Sequence, residues 1–505
     1  MFDNFKKTNK KIFKYIVINI FLLISFSLSV FGLTKNKDDI YEIKTKEDLY
    51  EFADLVNSGE SRANAKLIND IVVNKGEINE KTDAKKVLHW KCIGNNEKNP
   101  FLGTFDGAGH SISGIYSNYD LKNDGKNYVG LFGIVGDNKK YIYKENVAEK
   151  LDIKETDLVG VIKNLKLINS CFKCNCKSNQ DCKNSGICSQ NYGILENCSS
   201  QKLTVVTTNG KTLDSGGLCS DNFGIIKNCC CNQSKISTSN GEENLSGGIC
   251  VNNVGKIINS CVKSAEVISK NLKYNNYAGG ICSINFGIIL NSYCSSSKIM
   301  SQGGKNVIDK SDSKYVFGND TLLDNYSGGI CAYCNGLEGF IKNCYSSFVN
   351  ISSIGKNSDN ISGGICGYYF LSSEFSMSNC YSTISKISAL GGSMNYKGGI
   401  CGVVEKISET NKSIFNCYYL KLINAELLGI GAIKTPDLEK ESRYRYFDVK
   451  SDIKTQTKAV SIQEFKNGFV LKKLNSGGPC EGYEFKQNKS PNVDKTLEYL
   501  ILIKK

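Results

Sequence analysis

Twenty-three cysteines, against two histidines, are the residues of this chain best suited to covalent or metal chemistry. An odd count leaves at least one thiol without an intramolecular partner. Cys171, Cys174, Cys176 and Cys182 form the densest group, but they lack the two separated Cys-x2-Cys knuckles of a zinc site and have no histidine beside them. Disulfide stapling of an irregular loop is therefore expected there rather than zinc, and Cys229-Cys230-Cys231 is ambiguous in the same way. Other cysteines recur at fixed places. Equivalent Cβ atoms on stacked strands lie about 4.8 Å apart and a disulfide prefers about 3.8 Å, so a simple ladder is not expected to bridge itself. Bridges such as Cys188 to Cys198 or Cys219 to Cys229, and buried free thiols, both remain open. Strict alternation from Ile226 and Asn228 puts Cys229 outside, unless a bend at the asparagine resets it.

The two histidines, His89 and His110, fit no His-Glu-x-x-His pattern, and His110 sits in a Gly-rich turn that explains it. Neither a Gly-x-Ser-x-Gly elbow nor a Gly-x4-Gly-Lys phosphate loop occurs. Carbohydrate cleavage needs paired carboxylates or a basic residue with metal-binding Asp groups, and the repeated blocks carry Ser, Asn, Lys and Tyr with few Asp or Glu. These absences predict no catalytic, cofactor or metal site. Tyr345, Tyr381, Tyr418 and Tyr419 follow Asn-Cys blocks, where rings could stack as packing or, as a sharper alternative, as a glycan platform.

What positions these residues is a repeat. Gly-Ile-Cys or Gly-Leu-Cys recurs at Gly186–Cys188, Gly217–Cys219, Gly248–Cys250, Gly280–Cys282, Gly329–Cys331, Gly364–Cys366 and Gly399–Cys401. Each block is followed by an Asn-centred one, at Asn197, Asn228, Asn259, Asn291, Asn343, Asn379 and Asn416, and a divergent copy spans Val161 to Cys171. Turns of the form Asn-x-Gly begin at Asn191, Asn222, Asn253 and Asn285. With Gly or Asn every few residues and no helical period, the unit reads as three short strands forming one coil of a solenoid. Like residues then stack: Ile or Leu as an apolar stripe, Asn as a hydrogen-bonded corner ladder. The fold class predicted is all-β, a right-handed parallel β-helix with short helical caps at both ends.

Thr45–Asp48 caps a helix presenting Leu49, Phe52, Ala53 and Val56, stopped at Gly59. Ser461–Glu464 is a capping box ahead of Phe465, Phe469, Val470 and Leu474, with Gly477-Gly478 ending that helix. Five early lysines precede the uncharged run Tyr15–Leu33, which reads as a cleaved signal peptide in preference to an uncleaved anchor. The parts are thus a targeting segment (1–33), an N-terminal cap (40–84), an opening segment (85–136), a charged insertion (137–158), the repeats (159–425) and a C-terminal cap (426–505). Insertions Gly136–Asp157 and Ser301–Asn325 are expected to leave from one face and to form a binding surface. The net charge of +13 comes from scattered lysines with only three arginines, which argues against nucleic-acid binding.

Trp90–Ile115, Gly130–Gly133 and the repeats, clearest at Ile341–Ser346, together resemble the GLUG-motif repeat proteins of bacterial surfaces and secretions. The cysteine after Gly-Gly-Ile departs from that family's usual aliphatic residue. The resemblance implies a right-handed β-helix and a secreted or surface, adhesin-like role, with no defined activity. The expected function is nonenzymatic binding of a host or environmental glycan or protein, with no cofactor, and membrane contact only through an uncleaved N-terminus. A polysaccharide lyase or hydrolase is the alternative.

Overall fold

Five strands, not three, make one coil. The computed structural model describes residues 32–504 apart from 121–126, 140–152, 178, 272–274, 304–322, 337–338, 357, 372–376, 384, 407–413, 422–426, 437–443, 449–456, 477–482 and 488–499. A typical coil runs through Ile194–Glu196, Ser199–Gln201, Thr204–Thr208, Thr212–Gly216 and Cys219–Asn222, one strand in each of five sheets. In that order the described sheets hold 12, 11, 8, 8 and 10 strands, and successive coils pair in parallel and in register. Strands this short, divided only by corners of two or three residues, look like single longer strands in the sequence.

Asparagine makes those corners. Asn197, Asn228, Asn259, Asn291, Asn343, Asn379 and Asn416 all adopt φ between 51° and 56°, a left-handed conformation that asparagine tolerates better than most residues. One residue in that state resets the alternation of side chains. Cys229 accordingly faces inward at 1% exposure, and the outward position given by strict alternation is wrong.

The interior is one apolar column. Leu218, Ile249 and Ile281 occupy one place in successive coils: the Leu218 amide donates to the Ile249 carbonyl, and the Ile249 amide to that of Ile281. Beside them runs a buried ladder in which Asn191 donates to Asn222, Asn222 to Asn253 and Asn253 to Asn285, each at 2.8 Å. Such bonds offset the cost of keeping amides away from water.

Both caps are present. Helix α1 (Lys46–Asn57), capped reciprocally by Thr45 and Asp48, lays Leu49, Phe52, Ala53 and Val56 on the first coil, with Phe52 against Phe101 and Phe105. At the other end the single helix expected is two, α2 (Ile462–Lys466) and α3 (Phe469–Ser476), because Gly468 turns the chain at φ 81°. Phe465, Val470 and Leu474 bury Tyr345, Tyr381 and Tyr418 beneath them. The run expected to be a targeting segment, up to residue 31, and the expected Gly477-Gly478 stop lie outside the described residues.

The two insertions leave at different corners, not from one face. The first departs between Phe132–Val135 of the fifth sheet and Val161–Lys163 of the first, the second between Lys298–Gly303 of the third and Leu323–Gly328 of the fourth.

Candidate functional site

Among the described cysteines, four are bridged and eighteen are buried thiols. Cys230–Cys261 joins adjacent coils with Cα atoms 4.6 Å apart, so a ladder does bridge itself here. In-register strands bring α-carbons within ordinary disulfide range, and the side chains supply the remaining adjustment. The within-coil bridges do not form: Cys188, Cys198, Cys219 and Cys229 are all free. Cys174–Cys182 staples the irregular loop, and the Cys176 sulfur lies 3.5 Å from that of Cys174. Burial pushes the Cys176 thiol up to about 12, which suppresses its reactive thiolate. The three sulfur atoms lie within 4.8 Å of one another, close enough for a metal, but two are spent in a bond. Cys171 packs elsewhere, with Ile78 and Tyr116.

His110 lies in its turn 3.6 Å from Asp70, while His89 meets the Ala84 carbonyl at 2.9 Å and sets the edge of its ring against Tyr116. These contacts are structural. The tyrosines after the Asn-Cys blocks do stack, with Tyr293, Tyr345 and Tyr381 at 4.7 and 4.8 Å and within 6° of parallel. They form a packing column sealed by Phe465, whereas Tyr419 turns inward and donates to the Leu427 carbonyl.

A different strip runs along the corner between the fourth and fifth sheets. On the fourth sheet, Leu213 and Ser215 point into the coil, so Asp214 between them points out. Its position reads Tyr128, Lys183, Asp214, Leu245, Tyr277, Tyr326, Ile361 and Tyr396 through successive coils. The facing position on the fifth sheet reads Gln190, Asp221, Asn252, Ile284, Tyr333, Tyr368 and Val403. Leu245, Val251, Tyr277, Tyr326, Ala332, Ile361, Tyr368 and Val403 form an apolar cluster of their own, separate from the interior column.

The two ends of this strip differ in chemistry. Towards the C-terminus, Tyr326 and Tyr333 stack on Tyr368 at 5.2 and 5.6 Å, and Tyr277 meets Tyr326 at 5.1 Å. The Tyr368 hydroxyl contacts Glu405, and Lys434 lies 3.7 Å from that carboxylate and 5.6 Å over the Tyr368 ring. Ile284, Tyr333, Phe370 and Tyr396 are half-buried along the edge.

Towards the N-terminus, Lys183 lies against the Asp221 carboxylate and 4.0 Å from Asp214. Gln190 donates to one Asp221 oxygen at 3.1 Å and Asn252 to the other at 2.9 Å; Ser220 donates to Asp214 at 3.1 Å. The side chains of Asp214 and Asp221 are 3% and 4% exposed, against 31% for Lys183. Burial pushes the Asp214 carboxyl up to about 7; Lys183 pulls it down and Asp221 pushes it further up. Burial alone would lower Lys183, but the two aspartates outweigh it and hold the amine above its ordinary range. Sequence reasoning missed this cluster. Its signal is two acids seven residues apart, flanking Gly216-Gly217-Leu218-Cys219, in repeats otherwise short of acids.

The chain matches no family model and no curated protein. A solved structure assigned provisionally as an immunoglobulin A1 protease from Bacteroides ovatus aligns over 92% of this chain and 93% of its own, with 14% identity and a TM-score of 0.38. A second, described as an IgA1 protease, aligns over 86% of this chain with 10% identity and a TM-score of 0.34, and this chain spans 24% of its length. At these values neither likeness transfers a site or an activity.

Proposed function

We propose that this β-helical repeat protein is exported, acts at the cell surface or after secretion, and binds an extended glycan along the corner of its fourth and fifth sheets. The reading includes membership of the GLUG-motif proteins and an adhesin-like role without catalysis. One observation carries it. Tyrosines from successive coils line up parallel to the axis, and the strip edge at Ile284, Tyr333, Phe370 and Tyr396 is partly open to solvent. Aromatic faces present flat apolar area to the C–H faces of sugar rings, and their rigidity keeps the entropy cost of binding small.

Cleavage of a polysaccharide is supported less well. Asp214 and Asp221 are the paired carboxylates it would use, but both are buried and occupied by Lys183, Ser220, Gln190 and Asn252. A glycan array probed with the mature chain tests the proposal, beside a depolymerisation assay on each glycan bound. Tyr333→Ala combined with Tyr396→Ala is expected to weaken binding at least about tenfold, or about 1.4 kcal/mol, with the fold intact by circular dichroism. Unchanged glycan affinity in that variant, or binding to protein ligands alone, sinks the glycan reading. Depolymerisation without stable binding favours the enzyme.

A further inference from the structure

We infer that Lys183 and Asp221 become joined by an intramolecular isopeptide bond, with Asp214 as the proton carrier. The placement of the three groups points to it. The Lys183 nitrogen touches the Asp221 carboxyl, and the Asp214 oxygen stands 4.0 Å from the same nitrogen. Lys183 comes from the fourth-sheet strand Cys182–Ser185 and Asp221 from the fifth-sheet strand Cys219–Asn222, one coil further on. Both are held in paired strands, so the reacting atoms meet with little orientational freedom left to lose.

The surroundings fit a condensation. Both carboxyl groups are shut away from water, which favours loss of water and opposes the reverse hydrolysis. Asn252 and Gln190 donate to the two Asp221 oxygens, where they would stabilise negative charge on a tetrahedral intermediate. The second oxygen of Asp214 is buried and makes no hydrogen bond. With no donor to that oxygen, burial disfavours the carboxylate form and raises the proton affinity of Asp214.

The step balances without an oxidant or a cofactor. A proton passes from the Lys183 ammonium to the Asp221 carboxylate, giving a neutral amine and acid. The amine lone pair attacks Cγ of Asp221 and forms the N–C bond. Asp214 delivers its proton to a hydroxyl on that carbon, the C–O bond breaks, and water leaves. The resulting Asp214 carboxylate then takes the surplus proton from nitrogen. The products are one secondary amide, one water and Asp214 restored to its acid form. The amide is a covalent rung between adjacent coils, beside the rung that Cys230–Cys261 supplies on the second sheet.

The test is peptide mapping by mass spectrometry of the folded, secreted full chain after reduction and tryptic digestion. The expected product is a branched peptide joining Lys183 to Asp221, lighter than its two parts by about 18 Da, one water. Lys183→Arg should abolish it. Asp214→Asn, which keeps the shape but not the acid, should leave Lys183 and Asp221 in linear peptides. Linear peptides alone from the folded wild-type chain would overturn the bond. A branched peptide that persists in Asp214→Asn would overturn the role given to Asp214. If that variant fails to fold, the wild-type map still decides the bond.

Discussion

Coils three apart build the same corner and fill it with opposite chemistry. Three coils beyond Asp214 stands Tyr326, and three coils beyond Asp221 stands Tyr333. The backbone register is the same at both places, so the ladder fixes where a side chain stands and leaves its chemistry open. In the tyrosine half, ring faces satisfy one another and the few charges, Glu405 and Lys434, sit around a hydroxyl. In the aspartate half, one lysine, two amides and a serine hydroxyl have to partner two carboxyl groups withdrawn from water. The first half gains from apolar contact; the second depends on every partner being present.

The tyrosine half should give the largest effect. Tyr368→Ala removes a ring held between Tyr326 and Tyr333 and leaves Glu405 without its hydroxyl, so a loss of about 4 kcal/mol is expected from denaturant unfolding. Tyr368→Phe keeps the stack and should recover most of it. If the two variants lose the same amount, the hydroxyl contact and not the stack holds this half.

Lys183→Met tests the other half at a somewhat smaller cost. Compared with the unlinked wild-type chain, it leaves Asp214 and Asp221 side by side without a counter-charge, and about 3 kcal/mol is expected, the low end for a broken buried pair because the lysine is partly exposed. Replacing Asp214 and Asp221 with Leu and Asn in the same chain should restore most of that loss. The contrast between the halves fails if Lys183→Met proves neutral on its own.

Much of this corner's location, but not its content, was legible in the repeats. Leu218, Ile249 and Ile281 revealed the stacking because identical places in a solenoid repeat their residue types. The helices at Lys46–Asn57 and Ile462–Lys466 were legible from their capping boxes. Lys183, Asp214 and Asp221 repeat nothing, and their strands of four or five residues were too short to separate by periodicity. Counting three strands where five exist hid the corner that brings the fourth and fifth sheets together. The cysteine ladder was illegible for another reason: mean strand spacing alone predicts no bond, whereas Cys230 and Cys261 close the gap through their side chains.

A last effect expected is a slope. Asp214, held up to about 7 by burial, titrates near 3.9 in an unfolded chain. Between those values the folded chain carries a proton that the unfolded chain has lost. The stability this carboxyl contributes is therefore fully present below about pH 4 and falls as pH rises towards 7. Asp214→Asn should flatten that part of the profile, read as denaturant midpoints between pH 4 and 8, while Tyr368→Phe should leave its shape unchanged. Lys183, Asp221 and Glu243 all act on Asp214, and Lys183 is the one that draws its proton away. The amide would remove the pull of Lys183 together with the smaller upward push of Asp221, and the net change would extend the falling limb to higher pH. A chain in which Lys183 and Asp221 are linked should therefore keep losing stability beyond the pH at which an unlinked chain levels off, and an identical levelling point in the two forms would mean that the pull of Lys183 does not exceed the push of Asp221.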